Sequence, residues 1–212
     1  MLRKTGILLL IAGSLAGSAW AEEVMLTQVT GDVRVSGKDG PRAAVPFLKV
    51  TEGDTVTLAG NAQVQMVYLA SGRREIWRGS GEIAIGSQEG RSPSLKAETS
   101  LLPPLILKQL AKTPAVGQQG RTGMVMVRGL DDLEALDRLE KDYADFRASA
   151  AADDVMPEVF LLSGLLDFQD YERARKVLAD LKTRQASQPA YQALVEHFGR
   201  LVDAASAPPG RP

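Results

Sequence analysis

The sequence predicts an α+β protein: an N-terminal all-β sandwich or barrel of short antiparallel strands, followed by a small C-terminal helical bundle. From Glu22 to about Gly90 apolar residues recur with period two, and turn signals interrupt them roughly every 8 to 12 residues. From Gly129 onward the apolar period becomes that of a helix. Charge divides at the same place: residues 22–128 carry 13 Lys and Arg against 10 Asp and Glu, whereas 129–212 carry 10 against 16. Two differently charged halves imply two subdomains.

The first residues precede the fold. Arg3 and Lys4 form a basic start, Gly6 to Gly17 a short apolar run, and Ala19-Trp20-Ala21 an A-x-A cleavage site, so residues 1–21 read as a signal peptide. The run is shorter than the roughly 20 apolar residues a spanning helix needs. Cleavage after Ala21 would leave a chain that does not span the membrane; an uncleaved anchor is the alternative. The chain has no cysteine, hence no lipid-anchored cysteine and no disulfide, and a soluble periplasmic protein fits best.

The β region is placed at 22–90. Val24 and Leu26, Val33 and Val35, Leu48 and Val50, Val56 and Leu58, then Val64, Met66 and Tyr68 mark half-buried strands. Gly31-Asp32, Gly53-Asp54, Gly60-Asn61, Ser71-Gly72 and Gly79-Ser80-Gly81 are the expected reversals between them. A connector follows at 91–128. It is polar up to Leu102, opens a short helix at Pro103-Pro104, and holds a candidate returning strand at Met124 to Arg128, which would make that helix an insertion or lid on the β region. The helical region is placed at 129–204. Asp131 and Glu134 suggest a capping box, with Leu133, Leu136, Leu139, Tyr143 and Phe146 on one stripe. Further helices are expected near Pro157 to Phe168, Tyr171 to Arg184 and Pro189 to Ala204, capped by Asp154, Asp170 and Ser187. The Pro/Gly-rich tail 205–212 has no periodicity and is expected to be disordered.

Little in the chain points to catalysis. Without cysteine there is no thiolate, and the single histidine, His197, cannot build a His-based metal site or a triad alone; it reads as a surface or packing residue of the last helix. The glycines at 79, 81 and 86 lack a following helix and are turn residues rather than a phosphate cradle. Glu75 and Glu82 could be imagined as an acid and base pair, but both occupy slots expected to face solvent. No enzyme activity, metal or cofactor is expected. A net charge of -1 argues against nucleic-acid binding. One constellation stands out: Arg73, Arg74 and Arg78 around Trp77, at an expected hairpin tip that could grip a partner or an anionic glycan through bidentate and cation–π contacts. Trp77 can equally be a core residue, the favoured reading because its strand needs a large apolar side chain opposite Met66 or Tyr68.

The stretches VTGDVRVSG and FLKVTEGDTVTLAGNAQVQMVYLASGRREIWRGSGEIAIG resemble the FecR-type periplasmic β domain, with Gly31, Leu48, Gly53, Asp54, Gly60, Val64, Gly72 and Ile83 at its characteristic places. The resemblance covers about a third of the chain and offers no catalytic residues. FecR regulators proper also span the membrane and control a sigma factor from a cytoplasmic part, a plan from which this chain departs. The resemblance therefore implies a non-enzymatic periplasmic scaffold or regulatory protein that binds envelope proteins; the alternative is a module binding peptidoglycan or anionic glycan. Tyr171, Ala174 and Leu178 are similar in spacing to a tetratricopeptide repeat, but fewer than about three repeats rarely stand alone, so a packed bundle is favoured over a peptide groove.

Overall fold

The computed structural model describes residues 23–38, 40–114, 130–184 and 190–206. The signal peptide reading, the strand expected at Met124 to Arg128 and the Ser187 cap lie outside them, as does the tail beyond Ser206.

Among the described residues, eight antiparallel strands are followed by five helices. The strands are β1 (Glu23–Gly37), β2 (Gly40–Ala43), β3 (Lys49–Thr51), β4 (Thr55–Tyr68), β5 (Arg73–Arg78), β6 (Gly81–Ile85), β7 (Gly90–Arg91) and β8 (Glu98–Leu101). The main order is β2-β1-β4-β5-β8, with β3 also on β1, β6 also on β4, and β7 on β6. The helices are α1 (Pro104–Lys112), α2 (Leu130–Ser149), α3 (Met156–Asp167), α4 (Tyr171–Arg184) and α5 (Ala190–Ser206). The α+β class expected from the sequence is therefore observed. The last helix includes Ala205 and Ser206, two residues that the sequence places in the tail.

Two expected reversals are not reversals. β1 continues without a break through Gly31-Asp32 and β4 through Gly60-Asn61. The two strands pair along their whole length, and their register breaks between Thr30↔Gln63 and Asp32↔Ala59, leaving Gly60, Asn61 and Ala62 opposite Gly31. Gly31 takes a φ of 81°, and a Cβ there would stand 3.0 Å from the Ala62 Cα. A bulge at this point bends both strands. The bend folds the sheet on itself: β6 pairs with residues 55–58 of β4, and β5 with residues 63–67. Between the two halves lies a core that includes Val24, Leu26, Val35, Val56, Leu58, Met66, Trp77 and Ile83.

The second face of the outer half is also covered. Met25 and Val67 join Phe47, Leu102 and the helices in a separate core. This is why Val24 to Thr27 and Val64 to Tyr68 are buried without interruption, where alternation predicts half-burial. α3 is the central helix, buried at every position from Met156 to Leu165. It is contacted by the other four helices. The C-cap of α1, Thr113, stands hydroxyl to hydroxyl against Ser163 at 2.5 Å, which joins α1 to the helical layer, while its Ile106 and Leu110 share a core with Met25 and Val67 of the sheet. Asp170 accepts from the Arg173 N–H at 3.1 Å and caps α4 as expected. Asp154 accepts from the Met156 N–H at 3.0 Å, one residue further out than a standard cap.

Candidate functional site

Strand alternation decides the fate of the Arg and Trp constellation. Residues 71–81 do not form a hairpin tip; they are the strand β5 between two turns. Arg73, Glu75 and Trp77 take one face, and Arg74, Ile76 and Arg78 the other. Trp77 is buried in the sheet core, opposite Val64 rather than Met66 or Tyr68. Its indole N–H donates to Glu75 Oε2 at 3.0 Å. The four residues therefore do not share a surface.

Each arginine has a local partner. Arg73 Nε donates to Glu75 Oε1 at 2.6 Å, which holds its guanidinium firmly protonated. Arg74 Nε donates to Ser100 Oγ at 2.9 Å, and its Nη1 meets Asp154 Oδ2 at 2.5 Å, tying β5 to the start of α3. Arg78 bonds Gln63 Oε1 at 2.8 Å and pairs with Glu98.

Glu75 corrects a second expectation. It is fully buried, not solvated, and besides Trp77 and Arg73 it accepts from the Gly90 N–H at 3.1 Å. Glu82 is exposed on β6. One carboxylate is saturated by donors and the other stands in water, so the two do not form a matched acid and base pair. Near Glu75, the hydroxyl of buried Tyr68 has no hydrogen-bond partner among the described residues, and burial, then the Glu75 charge, push its pKa up.

What the sequence did not single out is β8. Among the described residues Glu98–Leu101 pairs with β5 alone and lies at the end of the strand order, with all four residues exposed. The Leu102 N–H donates to Gly72 O, which fixes the phase of the antiparallel ladder: Ser100 and Glu98 direct their main-chain groups toward β5, and Thr99 and Leu101 direct theirs to the open edge. The Leu101 side chain is 76% exposed. A cleft flanks the edge on either face. One, of about 530 Å³, is bordered by Arg73, Glu89, Arg91 and Leu101. The other, of about 410 Å³, is bordered by Arg74, Arg78, Glu98, Asp153 and again Leu101. The only sequence signal for this edge was the pair Thr99 and Leu101, too short to count as alternation.

His197 is buried rather than on the surface. Its ring stacks on Phe47 at 4.4 Å between centroids, and its Nε2 has no partner among the described residues. Burial pushes its pKa down to about 4, against a hydrogen bond to the Pro114 backbone, with Arg200 adding to the depression. The folded chain thus keeps His197 neutral while the unfolded chain protonates it below its ordinary pKa of 6.5. Its stabilising contribution is complete above about pH 6.5 and is lost progressively down to about pH 4, a loss of about 3 kcal/mol at roughly 1.4 kcal/mol per pKa unit. Urea titrations at pH 7 and pH 4 should show a smaller fall for His197→Phe than for the parent chain; equal falls would remove His197 as the cause.

Among the described residues there is no group of three or more His, Cys, Asp or Glu side chains placed to hold a metal, and no helix long and apolar enough to cross a membrane. Compared with known proteins, the chain matches no family model, no curated protein and no solved structure.

Proposed function

We propose that this chain is a non-enzymatic binding module that holds an extended segment of a partner protein along β8. We place it in the periplasm, as a scaffold or regulatory protein of the cell envelope built on a FecR-like β domain. The observation that carries the reading is the β8 edge: Thr99 and Leu101 offer main-chain groups unpaired among the described residues, beside an exposed leucine. A strand added there would gain affinity from main-chain hydrogen bonds, and its alternate side chains would enter the two flanking clefts. Sheets ordinarily blunt such an edge with charge, proline or a covering element. β8 has one charged residue, Glu98, and no proline.

A photo-crosslinker at Leu101 should trap one protein from envelope extracts, and the same group at Glu82 on exposed β6 should not. Thr99→Pro should abolish the adduct. Proline at 99 removes an edge-facing donor and no ladder bond to β5, so far-UV circular dichroism should be unchanged. An adduct equally strong from Glu82, or one indifferent to Thr99→Pro, would refute strand addition.

A second reading, anionic glycan binding, is favoured by one observation, the guanidiniums of Arg73 and Arg91 at the larger cleft. Arg91 is 81% exposed, so Arg91→Ala tests it without touching the fold. The bound fraction should drop several-fold when the protein is pelleted with peptidoglycan, and an unchanged fraction would end this reading.

A further inference from the structure

We infer that the partner segment is basic: beyond the strand it adds to β8, it seats a lysine or arginine next to an aliphatic residue in the groove between the start of α1 and the second half of α2. This deepens the strand-addition reading and rests on it for the path of the segment. The groove itself is an independent observation.

Its volume is about 280 Å³, its floor is Ile106 and Phe160, and its walls include Leu105 and Phe146. Leu105 is 50% exposed, on a helix whose Ile106 and Leu110 are buried. The charged side chains that line the groove among the described residues are two carboxylates, Asp142 and Asp145. Neither has a close, shielded partner among the described residues. Asp142 has no ion pair among the described residues, and Asp145 meets Lys141 at 3.7 Å with both side chains more than 70% exposed, a contact worth little in water.

An apolar floor under two carboxylates selects for a side chain with both characters. The methylene stem of lysine or arginine lies on Leu105 and Phe146 while its cationic head reaches Asp142 and Asp145, and the Phe146 ring adds a face for the cation. A wholly aliphatic side chain would fill the floor without answering the charge, and an acidic one would be repelled. The excess of acidic residues in 129–212, 16 against 10 basic, points the same way.

The groove continues from the β8 edge. Phe146, Pro103 and Ser149 border both it and the cleft beside Arg74, so a segment following β8 past Leu101 passes from one to the other.

The test uses the full chain and labelled peptides of stated sequence class. Three dodecapeptides share an alternating Val-Thr half, followed by Leu-Lys-Lys, Leu-Glu-Glu or Ser-Lys-Lys, and binding is read by fluorescence anisotropy. The Leu-Lys-Lys peptide is expected to bind roughly tenfold more tightly than Leu-Glu-Glu, with Ser-Lys-Lys between them. That preference should shrink as salt is raised. The double variant Asp142→Lys, Asp145→Lys replaces two exposed or half-exposed helix residues and should reverse it, while Thr99→Pro should weaken all three peptides alike. A charge preference that is missing, or that survives the double variant, overturns the inference and leaves strand addition standing if Thr99→Pro still weakens binding. A preference reversed by the double variant but indifferent to Thr99→Pro supports the groove and refutes the path along β8. Failure of all three peptides to bind overturns the inference.

Discussion

Replacing Phe47 by alanine is expected to lower the unfolding free energy by about 3–5 kcal/mol, the usual cost of removing a fully buried phenylalanine. Phe47 is 1% exposed and belongs to the core that joins the sheet to the helices. Its ring stacks on His197 with an interplanar angle of 17° and meets Phe198 edge-on at 5.7 Å, so one side chain from the loop before β3 anchors α5. The backbone sharpens the expectation. Phe47 holds a φ of 65°, a left-handed conformation that non-glycine residues occupy at a cost of about 1 kcal/mol or more. It is kept there by its N–H donating to Leu26 O at 2.6 Å and by the packing of the ring. Alanine would keep the strain and lose the packing; glycine would lose the packing and relieve the strain. Phe47→Gly is therefore expected to be no less stable than Phe47→Ala, and modestly more stable if the unfolded chain's extra freedom is outweighed. Urea unfolding followed by circular dichroism measures both variants. A Phe47→Ala loss below about 1 kcal/mol would show that the sheet and helices do not depend on this contact.

How much of this could be read from residues differs by element. Tyr171–Arg184 is the helix that its apolar stripe and the Asp170 cap predict, because both signals are local. The bend in β1 and β4 was not legible: Gly31-Asp32 looks the same in a reversal and in a bulge, and only the partner strand, with Gly60, Asn61 and Ala62 opposite, decides between them. β8 was lost for want of length. The division of Arg73 and Trp77 from Arg74 and Arg78 was available from the parity of their numbers once residues 73–78 are taken as a strand, and the assumption of a hairpin tip hid it. The burial of Glu75 could not be found at all from its neighbours. It depends on Gly90, 15 residues later, bringing a backbone N–H to the same carboxylate, and sequence periodicity carries no information about such a pairing.

Glu75→Ala is expected to destabilise the chain by about 3–5 kcal/mol, the range found when one partner of a buried charged contact is removed. The carboxylate is 0% exposed and accepts from three donors: the Arg73 guanidinium, the Trp77 indole N–H and the Gly90 N–H. Alanine would leave the two N–H groups without their acceptor and open a gap beneath β7, whose Gly90 is packed so tightly that a Cβ there would stand 2.8 Å from Glu75 Oε2. Arg73 would lose less, since a third of its side chain already reaches water. Glu75→Gln separates shape from charge. The amide fills the same space, but its NH₂ group is a donor facing donors, so roughly 1–3 kcal/mol should still be lost. The double variant Glu75→Gln, Trp77→Phe removes the indole donor together with the carboxylate, and its loss should be less than the sum of the two single losses by about 0.5 kcal/mol or more. Strict additivity would mean that the indole and the carboxylate do not stabilise one another. The border of the larger cleft is a separate matter, because Arg73 and the Gly90 N–H also donate to this carboxylate: Glu75→Gln should loosen Arg73 and the hairpin between β6 and β7, so that peptides that dip a side chain into that cleft bind several-fold more weakly.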